Sequence, residues 1–334
     1  MTSSNNFASS VRHLREAAGM SQEELGDSAG LDRTFISQLE RGLKSPTLNT
    51  LDKVAACLGI SATRLIGPAL EPIRPVLPRD YVIRDDRDLS IQVSDNRICS
   101  FSSRVAIDAI NATHAMIDQL YGADLDIASV LGMRNLSSFI GELYAAGLKK
   151  TAGNLFQSNP HQDGYPDLLF MDEIGQSEWD RLLPQRKEKA PFSPFPGGGV
   201  EVKATCGSVP TPAACAKKGL EKPGIGDTRI GVMDNYDWKA HHRDTNNLIG
   251  ILWDFINERP RIAAVFYSSE LEETDWSPIV VPKAKGGRTT SVSILKRPGI
   301  VKMFEGWICV VKDGGYREFI NRRNRRNGKT NSKI

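Results

Sequence analysis

The sequence predicts an all-α first domain followed by a larger α/β (α+β) domain, whose central mixed sheet is flanked by helices. Three observations carry that expectation. Between residues 1 and 67, short runs of helical period alternate with capping residues and glycines. Pro68, Pro72, Pro75 and Pro78 then fall within eleven residues, a semi-rigid extended spacer. Beyond them, strand-like apolar runs such as Leu168-Leu169-Phe170, Arg261–Tyr267 and Trp307–Val311 alternate with helix-like ones. The expected divisions are 1–67, a linker at 68–79, a main domain at 80–320 and a basic tail at 321–334.

In the first domain, Phe7, Val11, Leu14 and Ala18 recur at helical spacing, and Gly19 ends that helix. Ser21 with Glu24 forms a capping box opening a short second helix that carries Leu25. Ala29-Gly30-Leu31 makes a tight turn, and Asp32 caps a third helix, Arg33 to Arg41. Ile36 and Leu39 face inward there, while Arg33, Thr34, Ser37 and Gln38 stay outside. Thr47 opens a fourth helix with Leu48, Leu51, Val54, Ala55 and Leu58 on one stripe, and Ser61–Ile66 closes the unit as a fifth. A glycine turn between the second and third helices makes this a helix-turn-helix.

The stretch Leu31-Asp32-Arg33-Thr34-Phe35-Ile36-Ser37-Gln38-Leu39-Glu40-Arg41-Gly42 resembles the phage-repressor-type helix-turn-helix family, and within it the controller proteins of restriction–modification systems. The resemblance implies that Gln22 contacts a phosphate and that Arg33, Thr34, Ser37 and Gln38 meet base edges or the neighbouring backbone of double-stranded DNA. It also implies an Arg15–Glu40 ion pair. The side-chain chemistry agrees: arginine can be bidentate to guanine and glutamine to adenine. Phe35 reads either as a stack near the backbone or as packing.

In the second domain, Leu89–Val93 alternates like an outlying strand and Ser103–Leu120 reads as helix. A further helix begins at Ser137 and carries the single acid Glu142 among apolar neighbours. Pro166-Asp167 then leads into the apolar run Leu168–Phe170. Gly199-Val200-Glu201-Val202-Lys203 forms a second strand, with Gln176–Gly199 between them read as an inserted loop. Residues two apart on a strand point the same way, so Glu201 and Lys203 share a face. If Asp167 lies beside Glu201, the two carboxylates repel unless a cation neutralises them, and an oxygen-preferring ion such as Mg²⁺ suits them. A metal with an adjacent lysine is equipment for activating water against a phosphodiester. The plainer alternatives are a solvated Glu–Lys charge pair and a Pro-Asp turn. Asp163 competes with Asp167 for the same role.

These residues resemble the PD-(D/E)XK nuclease superfamily, and from about residue 80 the chain looks like a type II restriction endonuclease, of the ApaLI-like branch. The resemblance implies Asp167 and Glu201 as Mg²⁺ ligands, Glu142 as a supporting ligand and Lys203 as the catalytic lysine. The implied activity is hydrolysis of double-stranded DNA at a specific, palindromic site, leaving 5′-phosphates. The 34-residue gap from Asp167 to Glu201 departs from a simple hairpin.

Thr205–Gly226 is a basic loop whose Lys217 and Lys218 could meet a phosphate backbone. Asp237–Asn247 is dense in hydrogen-bonding side chains, and His241, His242 and Arg243 read as DNA contacts or local structure rather than a zinc site. Leu248–Ile256 reads as an apolar helix, and Arg261–Tyr267, Thr289–Leu295 and Trp307–Val311 read as strands. The tail from Asn321 reads as a disordered basic arm attracting phosphates, or as a solubilising terminus.

Composition sets the outer bounds. The chain has 334 residues, 25% of them charged and 40% hydrophobic, with a net charge of +3, an ordinary globular balance. Its five scattered cysteines contain no CxxC, which excludes a disulfide framework and a cysteine zinc site. No apolar run reaches membrane-spanning length and no signal-peptide pattern opens the chain, so a cytoplasmic protein is expected. Cutting both strands of a two-fold site calls for a homodimer, and a restriction system for a cognate DNA methyltransferase. Two other readings stand beside this one: a helix-turn-helix transcriptional regulator with a non-catalytic second domain, and a methylation-dependent nuclease.

Overall fold

A computed structural model describes residues 3–58, 80–93, 97–122, 127–241, 243–281, 292–326 and 334 of the chain. In its first unit, Met1–Arg74, the second, third and fourth helices start where a short polar side chain satisfies free backbone N–H groups. The helices are α1 (Ser3–Ala17), α2 (Gln22–Ala29), α3 (Arg33–Glu40) and α4 (Leu48–Cys57). The Ser21 hydroxyl accepts from the Glu24 N–H at 3.1 Å, and the Ser21 N–H donates back to the Glu24 carboxylate at 2.7 Å. Asp32 caps α3 through the Thr34 N–H at 2.7 Å, and Thr47 caps α4 through the Thr50 N–H at 3.2 Å. Gly30 ends α2 at a φ of 62°, the left-handed turn that lets α3 cross α2. Val11, Leu25, Ile36, Leu39 and Val54 are wholly buried between the helices. The expected fifth helix, Ser61–Ile66, and the linker 68–79 lie outside the described residues.

The second unit, Pro75–Ile334, runs β1 (Tyr81–Ile83), β2 (Asp88–Gln92), β3 (Ile98–Ser102), α5 (Ser103–Gly122), α6 (Ile127–Thr151), β4 (Phe156–Ser158), β5 (Leu168–Phe170) and α7 (Glu173–Leu182). It continues through β6 (Gly199–Thr205), α8 (Pro212–Ala216), β7 (Lys239–Ala240), β8 (Leu248–Ile256) and β9 (Arg259–Ser268). β10 (Ser293–Ile294), α9 (Arg297–Glu305), β11 (Trp307–Val311) and α10 (Gly314–Arg326) complete it. Among the described residues a seven-stranded sheet has the order β1-β11-β9-β8-β6-β5-β4. β6 and β8 are parallel and the other pairs antiparallel, so the sheet is mixed, as the sequence predicts. No helix among the described residues is long and apolar enough to cross a membrane.

Leu248–Ile256 is a central strand, not the helix its apolar run suggests. Alternate β8 side chains enter different cores: Ile249, Ile251, Trp253 and Phe255 pack with α5 and α6, while Leu248 and Leu252 pack with α9 and α10. A strand buried on both faces shows no alternation, and its sequence then matches that of a buried helix. Two more expectations need correction. The segment read as a loop from Gln176 contains α7, capped by Asp172 and anchored by Leu182 against Phe192 and Phe195. The basic tail is helical through Arg326, and Ile334 is buried and bonded to Asn321. Of the strand expected over 289–295, the described residues 292–295 are all in β pairing: Ser293–Ile294 form β10, Val292 bridges Val280 and Leu295 bridges Trp276, while 289–291 lie outside the described residues.

Candidate functional site

β5 and β6 pair with Leu168 opposite Val200 and Leu169 opposite Gly199. The approach is so close that a Cβ on Gly199 would lie 2.0 Å from the Leu168 carbonyl oxygen, which is why glycine stands there. Asp167, at the entry to β5, is thereby placed beside β6. Its N–H donates to the Glu201 carboxylate at 3.0 Å, and its Oδ2 accepts from the Val202 N–H at 2.9 Å. Val200 and Val202 turn into the core, so strand alternation puts Glu201 and Lys203 together on the other face. Lys203 Nζ sits 2.7 Å from Glu201 Oε1 and 3.1 Å from Asp167 Oδ2.

The electrostatics follow from that packing. Glu201 is 2% exposed, and burial, then the Asp167 charge, push its pKa up to about 7 against the pull of Lys203. Burial opposes the Lys203 ammonium, but Glu201 and Asp167 outweigh it and hold its pKa above the ordinary lysine value. Lys203 is therefore a fixed cation, not a base. Glu142, on α6, lines the same cavity of about 460 Å³ as Asp167 and Lys203. Burial first, and the Asp167 charge second, raise its pKa, with Lys203 opposing.

The structure thus brings Asp167, Glu201 and Lys203 into contact and places Glu142 on the wall of their cavity. Among the described residues it gathers no set of three His, Cys, Asp or Glu side chains close enough to hold a metal. The donor set fits Mg²⁺ all the same. That ion is commonly held by one or two carboxylates and keeps several waters. Here two carboxylates already share one cation, and Asp167 Oδ1 takes no hydrogen bond among the described residues.

A support that the sequence did not single out holds the strand bearing these residues. The Glu201 N–H donates to the Asn247 carbonyl at 2.9 Å. The buried Asn247 side chain accepts from the Gln92 N–H at 2.8 Å and donates to the Gln92 carbonyl at 2.7 Å. Tyr165 donates to Asn246 Oδ1 at 2.7 Å. The density of hydrogen-bonding residues in Asp237–Asn247 was the signal available, but not the partners.

The remaining predicted contacts divide. Lys217 and Lys218 are exposed after α8, and His241 lines the cavity of Asp167. His242 lies outside the described residues. Arg243 is held by Glu273, at 2.5 Å to its carboxylate and 3.2 Å to its carbonyl. In the first unit, Arg33 and Thr34 are exposed on α3, Ser37 and Gln38 are half-buried, and Phe35 packs on the core. Arg15 pairs with Glu40 at 2.6 and 3.1 Å, as the resemblance implies. Gln22 Nε2 donates to the same carboxylate at 2.7 Å, which leaves it one further hydrogen for a phosphate.

The comparisons bear on the first unit. A family model described as helix-turn-helix matches residues 11–65. A hypothetical transcription factor of Neisseria meningitidis serogroup B is 40% identical over 68 residues, 20% of this chain and 64% of the relative. Control protein C.BamHI of Bacillus amyloliquefaciens is 36% identical over 61 residues, 18% of this chain and 75% of the relative. Control protein C.SmaI of Serratia marcescens is 39% identical over 60 residues, 18% of this chain and 71% of the relative. The solved restriction–modification controller protein C.AhdI of Aeromonas hydrophila is 38% identical, covered over 92% of its length against 18% of this chain, with a TM-score of 0.18. The chain spans 64% of the Neisseria relative and 55% of an uncharacterised helix-turn-helix regulator of Mycobacterium tuberculosis. On the strength of these identities the chain belongs, through its N-terminal domain, to the helix-turn-helix family of controller type.

Proposed function

We propose that the chain is a Mg²⁺-dependent, site-specific deoxyribonuclease of the type II restriction class, with a PD-(D/E)XK core behind a helix-turn-helix DNA-binding domain. One observation carries this reading: Asp167, Glu201 and Lys203 meet within 3.1 Å at the end of a mixed sheet, locked by reciprocal backbone bonds. Mg²⁺, when bound, would polarise the phosphodiester and offset its charge. Asp167 and Glu201 would hold it, with Glu142 facing the same cavity. Lys203, kept cationic, would orient water and stabilise charge on the phosphoryl oxygens. Water attacks phosphorus in line, the bond to the 3′-oxygen breaks, and that oxygen takes a proton, leaving 5′-phosphate and 3′-hydroxyl ends. Cleavage of both strands of a palindrome calls for a homodimer, and self-protection for a cognate methyltransferase, both in the cytoplasm.

A second reading is a transcriptional regulator whose second unit is not catalytic, and the matches to control proteins and helix-turn-helix regulators favour it. Digestion of mixed genomic DNA with Mg²⁺, followed by end sequencing, separates the two. Discrete ends that share one sequence, absent with Asp167→Ala, support the nuclease. Intact DNA in both unmodified and methylated samples leaves the regulator. Cutting of methylated DNA alone would make it a methylation-dependent nuclease.

A further inference from the structure

A second cavity, of about 200 Å³, opens between the end of α8, the turn at Gly231–Asp234 and α10. Its lining carries Lys218, Arg322 and Arg323 against the single acid Asp234. Among the described residues no salt bridge engages any of the three cations, and Arg323 Nε is buried without a hydrogen-bond partner. Cationic side chains are mostly kept apart by their repulsion, and a buried guanidinium N–H normally finds an acceptor. Arg322, exposed on α10, is held over the Phe319 ring, 5.9 Å from its centroid. Such a site suits an anion with several acceptor oxygens.

Its position says which anion. The bridge between Ser208 and Asn235 separates this cavity from the one that holds Asp167 and Lys203. Ser208 lines the first and Pro210 the second, so the chain between them spans at most about 7 Å. Arg323 also lies near enough to Asp237, in the wall of the Asp167 cavity, to act on its carboxyl.

We propose that Lys218, Arg322 and Arg323 form a phosphate seat that grips the backbone of the same duplex whose scissile bond faces Asp167, Glu201 and Lys203. This rests on the nuclease reading for its choice of ligand, but not on catalysis. The seat fixes the position of the duplex without reading bases.

The test is duplex binding by the full chain in EDTA, by fluorescence anisotropy over a salt series. Each lost phosphate contact should flatten the plot of log affinity against log salt by about 0.9. Arg322→Gln with Arg323→Gln should therefore lower the slope by roughly 2, and Arg322→Lys with Arg323→Lys should restore most of it. Lys218→Gln, an exposed change with no folding burden, should lower it by about 0.9. An unchanged slope in a folded Gln variant overturns the proposal. So does calorimetric binding of inorganic phosphate that is lost in the Gln variant while the DNA slope stays fixed, since the site would then serve a free phosphate. Because binding is read without metal, a flattened slope in EDTA beside a parent chain that still cuts no DNA once Mg²⁺ is added would sink the nuclease reading and leave the seat standing.

Discussion

The backbone N–H of Asp167 donates to the Glu201 carboxylate at 3.0 Å, tying two acids 34 residues apart into one site. That bond, and the return bond from the Val202 N–H to Asp167 Oδ2, fix both carboxylates against the backbone of the neighbouring strand, and Lys203 bridges them. A site built this way on adjacent strands is positioned by the sheet itself.

Among the described residues Lys203 is the one cation touching both acids, so its removal should act on chemistry more than on DNA affinity. Lys203→Ala should slow cleavage roughly 10²–10³-fold, the usual cost of losing one charge-stabilising donor. Binding of uncut duplex in EDTA should change less than threefold by the same assay, within roughly 0.6 kcal/mol. A variant that cleaves at the parent rate would remove Lys203 from the mechanism.

Asn247 is the tie between the β2–β3 hairpin and the strand of Glu201. Asn247→Ala strips the Gln92 N–H of its partner and leaves the Gln92 carbonyl only the Asn246 side chain, and should cost about 1–3 kcal/mol of stability, read by urea denaturation. It should also lower the Mg²⁺-dependent rate, because the Glu201 end of β6 hangs on the same segment. An equal rate in the folded variant would make Asn247 purely structural.

Buried His114 accepts from the Ile262 N–H at 2.9 Å through Nε2, and burial, then the Arg261 charge, lower its pKa to about 3. The folded state therefore binds the proton less well than the unfolded chain, whose imidazole titrates near 6.5. The stability from neutral His114 is fully present above that value and is lost as pH falls toward 3. Unfolding at pH 5 should thus cost about 2 kcal/mol less than at pH 7 from this residue. His114→Leu should lose that component of the pH dependence. Glu201 works in the opposite sense, its contribution fading as pH rises through about 7, so the comparison is made against the variant.

In the first unit, the 2.6 Å Arg15–Glu40 bond is buried, and Gln22 shares its carboxylate. Arg15→Ala leaves Glu40 uncompensated and should destabilise the domain by about 3–5 kcal/mol. Arg15→Met with Glu40→Leu should cost clearly less. Thermal melting of the full chain, followed by a probe in residues 1–58, reads both. Equal losses in the two variants would mean that the charges contribute net stability.

What could be read from the sequence was local. Capping residues at Ser21, Asp32 and Thr47 announce helix starts because each bond closes within three residues. The Glu201–Lys203 pair was legible because strand period alone puts both on one face, and Asp167 because Pro166 and an apolar run mark a strand entry. Long-range partners were not legible. Asn247 finds Gln92 155 residues away, and Arg243 finds Glu273, neither of which any spacing rule indicates. β8 was misread because burial on both faces erases the alternation that marks a strand.

The direct measurement is the rate of Mg²⁺-dependent conversion of supercoiled, unmodified DNA to linear form, for the parent chain and for Asp167→Ala of equal melting temperature. The account predicts cleavage by the parent that EDTA abolishes, and a variant slower by roughly 10³-fold or more, since it loses a metal ligand. A parent that leaves substrate containing its site intact, or a variant that cuts as fast, would contradict it.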